Sequence, residues 1–347
     1  MTTKLVFTAC FLLLLLNGGH HVEARRHRER RKDYMLFVLG DSFVDAGNLP
    51  RSAKSKASRG WYYPYGSSDS AHGNAATGRL SDGLVQSDFL AKMLGYDESP
   101  PRYSPNEVDT SGVNFATSFS GVLNGPEEEP ALGRQVDQLR RLVNRRIIGD
   151  DDLDESVALV SVSSGHDYSH VSDSTSAEQM DAYIGRVTDA VADAVRRLQD
   201  LGVPTILVNS LPPIGCTPWR SRISGYARCN ARGNDIATAH NEQLRRKLGG
   251  LDGVLLLDLY AAFGGVARSM SSSTPCCDTS DPNAYCGQED SSGRAQYTVC
   301  ANPDRHLYWD YLNPTQAGWN AVMDQLRGPI LRVLGHPILV ISDELLY

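Results

Sequence analysis

The sequence lacks several features that would point to common classes of protein. Its 347 residues carry a formal net charge of -7, with 22% charged residues, so nothing favours binding to nucleic acid. It has no cysteines in paired C-x-x-C spacing, which argues against a zinc site, and we expect neither a metal nor a cofactor. No apolar run of bilayer-spanning length follows the first residues, so stable membrane insertion is not expected. There is also no N-x-S/T glycosylation sequon.

The first residues do contain the pattern of a secretory signal. Lys4 precedes an apolar run from Leu5 to Leu16, and Val22-Glu23-Ala24 resembles a small-residue cleavage site. The run is too short to span a bilayer comfortably, which argues against a membrane anchor. We therefore predict a signal peptide over residues 1–24 and a secreted protein that is located outside the cell or in the cell wall.

The rest of the chain is predicted to contain one large domain. A strongly basic stretch at residues 25–33 is expected to be a disordered, solvated arm, and contact with acidic wall polysaccharide or anionic lipid is the alternative. No internal repeat or long linker divides the sequence that follows. We assign the domain to residues 34–336 and a C-terminal tail to residues 337–347.

Of the seven cysteines, six remain after the predicted signal peptide, and an even number favours disulfides in a secreted protein. They are Cys216, Cys229, Cys276, Cys277, Cys286 and Cys300. Cys216 and Cys229 flank a predicted loop that they could staple. The adjacent Cys276 and Cys277 are expected to bond to different partners, with the last two cysteines the nearest in sequence. The spacing leaves the full connectivity open.

Short apolar runs alternate with amphipathic segments along the domain. Each run is nearly continuous, as expected for a strand that is covered on both faces. The candidate strands are Met35–Leu39, Val113–Ala116, Val157–Val162, Thr205–Asn209 and Val254–Asp258. Strands that alternate with helices predict parallel βαβ units, and therefore a three-layer α/β/α sandwich with a mostly parallel five-stranded sheet. Ligands bind such sheets at the carboxyl ends of the strands.

The helical pattern is clearest from about Ser176 to Leu201, where apolar residues recur at three- and four-residue intervals and Gly202 follows as a stop. A second helix is indicated by the apolar residues at 136–143. Pro314 suits the first turn of a final helix, because the missing N–H of proline costs nothing there.

A possible catalytic serine stands directly after the first predicted strand. The block from Gly40 to Asn48 reads G-D-S-F-V-D-A-G-N. At a strand-to-turn junction, the hydroxyl of Ser42 would project into the ligand crevice, with nearby backbone N–H groups available to an anion. The tripeptide Gly-Asp-Ser alone is also an ordinary turn sequence, so it needs support from elsewhere in the chain.

That support comes from an ordered set of further motifs. The nine-residue block resembles the first signature of plant-type GDSL (SGNH) ester hydrolases, G-D-S-x-x-D-x-G-N. Further matches are Pro64-Tyr65-Gly66, Thr77–Gly83, Val113–Ala116, Leu211–Cys216, and Trp309-Asp310 followed by Pro314-Thr315. The resemblance covers nearly the whole domain. It implies the flavodoxin-like SGNH hydrolase fold and hydrolysis of carboxylic esters, with a small-molecule, lipid or wall-polymer ester as the partner.

The resemblance also implies a role for each motif residue. Ser42 would attack the ester carbonyl, and Asp310 would orient the catalytic base. The oxyanion hole would take the backbone N–H of Ser42, the backbone N–H at Phe119 and the side chain at His166. Asp45 and Asn48, and likewise Tyr65 and Arg79, are expected to support loops rather than to touch substrate.

Three positions depart from the family's pattern. The D-x-x-H motif reads Asp310-Tyr311-Leu312-Asn313, and asparagine cannot accept a proton near neutral pH. Losing the base of a serine hydrolase costs on the order of a million-fold in turnover. Phe119 stands where the family has glycine, so its side chain would crowd the oxyanion site and a left-handed backbone would be costly. His166 replaces an asparagine, yet its imidazole can still donate a hydrogen bond.

Another histidine could in principle replace the missing base. A relocated pair of Ser42 and His166 is the best alternative, because the resemblance places both at one crevice. His306 is expected to be a partly buried, hydrogen-bonding residue. His72, His170 and His240 have no motif support and are expected at the surface.

We therefore predict a secreted family member whose ester hydrolysis through Ser42 is weak or lost. The main alternative is a non-catalytic protein that binds an acylated ligand or partner in the former active-site crevice. An acyltransferase is a third hypothesis, but it needs the same base and meets the same objection.

Overall fold

The computed structural model describes residues 34–335 except 53, 124–130, 170, 173, 272–273 and 282. The predicted signal peptide (1–24), the basic arm (25–33) and the C-terminal tail (337–347) lie outside the described residues, as does His170.

Five parallel strands form the central sheet in the order β2-β1-β3-β4-β5. They are β1 (Met35–Gly40), β2 (Gly112–Asn114), β3 (Ser156–Ser161), β4 (Thr205–Asn209) and β5 (Val254–Leu257). Each predicted strand overlaps one of these, and the predicted α/β class with a parallel five-stranded sheet is confirmed. The sheet order reverses beside β1, and this is where open α/β sheets form a ligand crevice.

Helices cover both faces of the sheet. They are α1 (Gln86–Leu94), α2 (Leu132–Asn144), α3 (Asp150–Asp154), α4 (Ala177–Asp200), α5 (Pro218–Ser221), α6 (Ala231–Leu248), α7 (Leu259–Val266) and α8 (Gln316–Val333). The apolar faces of α2, α4 and α6 pack on one side of the sheet, and those of α1, α7 and α8 pack on the other. Successive β1 side chains alternate between these two cores, since strand side chains point to opposite faces.

The helix ends follow local hydrogen-bonding chemistry. Ser176 caps α4, because its hydroxyl accepts a hydrogen bond from the amide of Gln179 at 3.2 Å. Thr315 caps α8 in the same way, with Gly318 as donor at 2.8 Å. The prediction that Pro314 occupies the first turn of this helix is wrong. The threonine hydroxyl fixes the N-cap one residue later, so the proline lies just outside the helix.

Three disulfides are present: Cys216–Cys229, Cys276–Cys300 and Cys277–Cys286. The adjacent cysteines therefore bond to different partners, and the first pair closes a loop, as expected. A short antiparallel ladder, β6 (Cys277–Asp278) with β7 (Thr298–Val299), accompanies them. Within the described ranges, no three His, Cys, Asp or Glu side chains group to hold a metal, and no helix has the length and apolarity to cross a membrane.

Close approach of two strands fixes the start of the site. At Gly40, the last residue of β1, φ is +148°, and a Cβ there would lie 2.0 Å from the carbonyl oxygen of Ser161 in β3. Only glycine allows this contact, because real Cβ atoms do not come so close to backbone. The chain then turns away from the sheet at Asp41 and Ser42.

Candidate active site

Ser42 lies in the turn that leaves β1. The amides of Val44 and Asp45 both donate to the carbonyl of Asp41 at 3.1 Å, which closes the turn around the serine. Ser42 is only 6% exposed. Within the described part of the chain, no hydrogen bond connects its hydroxyl with an imidazole nitrogen.

Asp41 connects this turn to the loop after β3. Its carboxylate accepts hydrogen bonds from the amides of Phe43 at 3.1 Å and Ser164 at 2.8 Å. Burial raises the pKa of Asp41 to about 7, although these hydrogen bonds act in the opposite direction, and the charge of Asp167 raises it further. The carboxyl group beside the candidate nucleophile therefore titrates near neutral pH.

Asp45 and Asn48 hold the turn against the loop after β2. The carboxylate of Asp45 accepts the amides of Gly47 and Asn48 at 2.8 and 2.7 Å. It also accepts both the amide and the hydroxyl of Ser118 at 2.7 Å. The side chain of Asn48 donates to the carbonyl of Ala116 at 2.8 Å. These contacts agree with the supporting role that the sequence suggests.

Asn313, at the predicted position of the catalytic base, is hydrogen-bonded to Asp310. Its side-chain Nδ2 donates to both carboxylate oxygens of Asp310, at 2.9 and 3.0 Å. In a serine-hydrolase triad, an imidazole N–H makes this contact to the orienting carboxylate. The amide oxygen of Asn313 is buried and has no hydrogen-bond partner among the described residues. Such an oxygen can accept a hydrogen bond but cannot hold a proton at neutral pH.

Two further side chains engage Asp310. A guanidinium nitrogen of Arg59 lies 3.3 Å from its carboxylate, and the hydroxyl of Tyr65 donates to the same oxygen at 2.8 Å. Arg59 also donates to the Tyr65 hydroxyl at 2.7 Å. Burial holds the pKa of Tyr65 well above its ordinary value, so the phenol is neutral. Burial by itself would lower the pKa of Arg59, but its hydrogen bond to Tyr65 and the charge of Asp310 raise the pKa overall.

Arg59 is a site residue that the sequence reasoning missed. It stands in a stretch without helical or strand periodicity, and none of the family motifs quoted above includes it. Tyr65, in the Pro64-Tyr65-Gly66 motif, was expected to support a loop. It does more, because its hydroxyl joins Arg59 to Asp310.

Phe119 has the left-handed backbone conformation that is expected to be costly for a residue with a side chain. Its φ is +67°, in the left-handed region that disfavours residues with a side chain. The Cζ atom of Arg59 lies 5.2 Å from the centroid of its ring, within the range of a cation–π contact. The ring is half-buried and lines the cavity described below. A side chain therefore fills space beside the position where an oxyanion donor is expected.

His166 lies in the loop that follows β3, half-buried, and it lines the same cavity as Phe119. The next residue, Asp167, accepts the amide of Val122 at 2.9 Å and so joins this loop to the loop after β2. Within the described ranges, no hydrogen bond connects His166 with Ser42. The relocated catalytic pair is therefore not formed in this structure.

The other histidines are structural or peripheral. His306 is half-buried, with its Nδ1 3.1 Å from the carbonyl of Thr274, as expected. His72 is exposed. The expectation that His240 lies at the surface is wrong, because it shares the buried face of α6 with Ile236 and Leu244, four residues away on either side. Its Nδ1 lies 2.7 Å from the hydroxyl of Tyr168.

These elements enclose a cavity of about 650 Å³. Phe119, His166 and Asp310 lie on its wall together with the apolar side chains of Trp219 and Tyr285. Neither Ser42 nor Asn313 is among the described residues that line it. Phe119 and His166, two of the three oxyanion candidates, therefore border the cavity together with Asp310, whereas Ser42 does not belong to its described lining.

Fold and site together define an α/β protein with the layout of a serine hydrolase. Ser42, the predicted nucleophile, follows β1, and the Asp310 loop precedes α8. The predicted oxyanion residues Phe119 and His166 follow β2 and β3. The family model described as GDSL-like Lipase/Acylhydrolase matches residues 36–326. The chain therefore belongs to the GDSL lipase/acylhydrolase family, whose reaction is hydrolysis of ester bonds.

Relatives in Arabidopsis thaliana agree with this assignment. GDSL esterase/lipase At5g03610 is 34% identical over 334 residues, which cover 90% of this chain and 91% of the relative. GDSL esterase/lipase At3g09930 is 31% identical over 343 residues, covering 92% and 94%. Among solved structures, an α/β hydrolase enzyme from the metagenome of Lake Arreo, Spain, aligns with a TM-score of 0.38 and 14% identity over 87% of this chain and 95% of that one.

Proposed function

We propose that this chain is a secreted GDSL-family protein in which ester hydrolysis through Ser42 is severely weakened or lost. One observation carries the proposal. The side-chain amide of Asn313 makes the hydrogen bonds to Asp310 that an imidazole would make, and among the described residues no imidazole nitrogen is hydrogen-bonded to Ser42.

Among the described residues, no neighbouring group is placed to act as a substitute base. The carboxyl of the adjacent residue, Asp41, has a pKa of about 7, but both of its oxygens already accept backbone amides. A serine hydroxyl attacks an ester carbonyl efficiently only when a group beside it accepts the proton. The raised pKa of Arg59 keeps its guanidinium protonated, and the raised pKa of Tyr65 keeps its phenol neutral. The carboxylate of Asp310 accepts from Arg59, Tyr65 and Asn313 at once, so its oxygens are already occupied. Proton removal from Ser42 is therefore the step that we expect to fail.

The oxyanion positions add a second obstacle. The donors expected from the resemblance are the backbone N–H groups of Ser42 and Phe119 and the imidazole of His166. The left-handed backbone and the ring of Phe119 crowd this region. Removing a single oxyanion donor typically costs a factor of 10² to 10³ in turnover. A lost oxyanion donor would lower turnover further, in addition to the effect of the missing base.

A second candidate function is non-catalytic binding of an acylated ligand, whether a small molecule, a lipid or a wall polymer. The cavity favours it, since about 650 Å³ lies within the usual size range of ligand pockets. Its apolar lining includes Ile214, Trp219 and Leu312, which suit an acyl chain or an aromatic acyl group.

Turnover of short-chain p-nitrophenyl esters, together with labelling by a fluorophosphonate probe, tests the proposal. The matched control is Ser42→Ala, prepared in the same way. We expect the parent protein and the control to differ little in both measurements. Turnover typical of an active serine hydrolase, abolished in Ser42→Ala, would contradict the proposal and identify a functional base that the geometry does not reveal.

Secretion rests on the predicted signal peptide and is supported by the three disulfides, which form in oxidising compartments. N-terminal sequencing of protein collected from the medium of a secreting plant host tests it. A mature N-terminus at Arg25 is expected. Protein that stays inside the cell with Met1 retained would contradict it.

A further inference from the structure

An exposed apolar tip lies beside the cavity, on a segment that a disulfide closes. We refer to residues 217–232 as the arginine loop. The Cys216–Cys229 disulfide joins the residue just before this segment to Cys229 within it, and its last two residues begin α6. Within it, the side chain of Ile223 is 90% exposed and that of Trp219 is 43% exposed. Leaving an isoleucine almost fully in water is unfavourable, so its burial against a partner would be favoured.

The arginine loop is also strongly positive. It contains Arg220, Arg222, Arg228 and Arg232 and no acidic residue, in a chain whose formal net charge is -7. Within the described ranges, neither Arg220 nor Arg228 takes part in a salt bridge, and Arg220 donates instead to the carbonyl of Tyr168 at 3.1 Å. The positive charge of these two side chains is therefore available to an anionic partner.

Contacts at the base of the loop hold it in place. The hydroxyl of Tyr226 donates to the carboxylate of Asp278 at 2.9 Å, and the guanidinium of Arg222 lies 4.3 Å from the ring centroid of Tyr311. Trp219 and Arg220 line the cavity, so its mouth opens beside the loop. Trp219 is both exposed and part of the cavity lining, so it connects the exposed face of the loop with the cavity.

We propose that the arginine loop docks on an anionic lipid surface. Ile223 and Trp219 enter the headgroup region, where aliphatic tips and indole rings are stable, while the arginines contact lipid phosphates. A small apolar tip that is flanked by arginines suits a lipid surface, where the phosphate headgroups are mobile. A stable protein interface needs a patch of roughly 800 Å² per partner, much larger than two side chains. The docking does not depend on the function proposed above. Only the entry of acyl chains into the cavity of the docked protein rests on that function.

Vesicle sedimentation tests the docking. Purified protein is mixed with vesicles of phosphatidylcholine alone or of an equal mixture with phosphatidylglycerol. We expect binding to the mixed vesicles only, released by added salt because screening weakens the attraction to phosphates. Ile223→Ser and Arg228→Glu should each lower the partition coefficient on the order of tenfold. Both residues are exposed, so neither change disturbs the core.

Matched controls occupy the far ends of two helices. α6 and α8 have 18 residues each and are therefore about 27 Å long. Arg246→Glu lies near the end of α6 that is remote from the loop, and Val333→Ser lies at the end of α8 that is remote from the site. Both variants should bind like the parent protein. The basic stretch at residues 25–33 is the same in every variant, so its contribution cancels.

Three results would overturn the proposal: no binding to the mixed vesicles, equal binding to phosphatidylcholine alone, or loop variants that bind like the controls. Sedimentation velocity without lipid tests whether the loop joins two copies of the protein. If Ile223→Ser converts a dimer to a monomer and leaves vesicle binding unchanged, the loop is an interface between protein chains instead. None of these results depends on whether the protein hydrolyses esters.

Discussion

The guanidinium of Arg59 pairs with the carboxylate of Asp310 at 3.3 Å, and both side chains are less than a tenth exposed. In an active triad, the buried carboxylate faces an imidazole that becomes cationic during the reaction. Asn313 is neutral and cannot supply that charge. Arg59 supplies a permanent one, and a buried anion needs such a partner to be tolerated. The Asp310 loop is therefore electrostatically balanced without a catalytic histidine.

Removing Arg59 should destabilise the fold. Arg59→Met keeps most of the side-chain volume and leaves Asp310 with neutral partners only, for which we expect a loss of about 3–5 kcal/mol in the free energy of unfolding. Urea unfolding measures it. In the Asp310→Asn background, the same change should cost much less, which a double-mutant cycle quantifies. Equal losses in both backgrounds would mean that Arg59 acts through packing alone.

Restoring the base should restore part of the activity. In Asn313→His, an imidazole N–H can take over the contacts to Asp310, and we expect ester turnover to rise by roughly 10- to 100-fold, well short of the value of a full base. Adding Phe119→Gly should raise it further, since glycine accepts a left-handed backbone at little cost. Turnover of p-nitrophenyl acetate provides the measurement, with Ser42→Ala in the double variant as the control. If the double variant shows no gain, the obstacle lies elsewhere in the crevice.

Asp41 should make the folded state less stable as the pH rises. Its pKa is about 7 in the fold against an ordinary value of 3.8, so between these pH values the folded state binds more protons than the unfolded state. This contribution is fully present below about pH 4 and is lost as the pH rises through 7, by up to about 4 kcal/mol. Asp41→Asn removes it. Urea unfolding at pH 5 and pH 8 should show the variant gaining relative to the parent protein at the higher pH, whereas a constant difference would rule out this titration.

His240 should make the folded state less stable as the pH falls, which is opposite to the effect of Asp41. Burial lowers its pKa to about 3, with a smaller effect from the charge of Lys247, so the folded state holds it neutral. Its contribution to stability is fully present above about pH 6.5 and is lost as the pH falls towards 3, by up to about 5 kcal/mol. His240→Gln stays neutral and can still bond to Tyr168. Thermal unfolding from pH 7 to pH 4 should therefore show a smaller loss for the variant. Parallel losses would contradict the assignment.

The sequence predicts the sheet well for a physical reason. Strands buried on both faces, such as Val157–Val162, must be apolar throughout, so they can be recognised locally. The sequence also proposes Ser42 and Asn313 as site residues, because short motifs with fixed spacing point to these positions. Phe119 could be flagged from the glycine that the family has there, and its left-handed backbone agrees with that concern.

The residues that were missed depend on contacts between distant parts of the chain. Arg59 and Asp310 are 251 positions apart, and no local pattern indicates their pairing. His240 is different, since its spacing from Ile236 and Leu244 places it on the apolar face of α6. That periodicity was available in the sequence. A polar residue on an apolar helical stripe predicts a buried hydrogen bond, which Tyr168 provides.

Gly40 is needed by the backbone whether or not the protein turns over an ester. A methyl group at this position would collide with β3, so the β1–β3 contact demands glycine for folding alone. Asp41 and Asp45 are likewise occupied with amides of neighbouring loops. Much of the G-D-S-x-x-D signature can therefore outlast the chemistry with which it is associated. In the function proposed above, the residue three places after Asp310 is therefore a better indicator of ester turnover than the serine block itself.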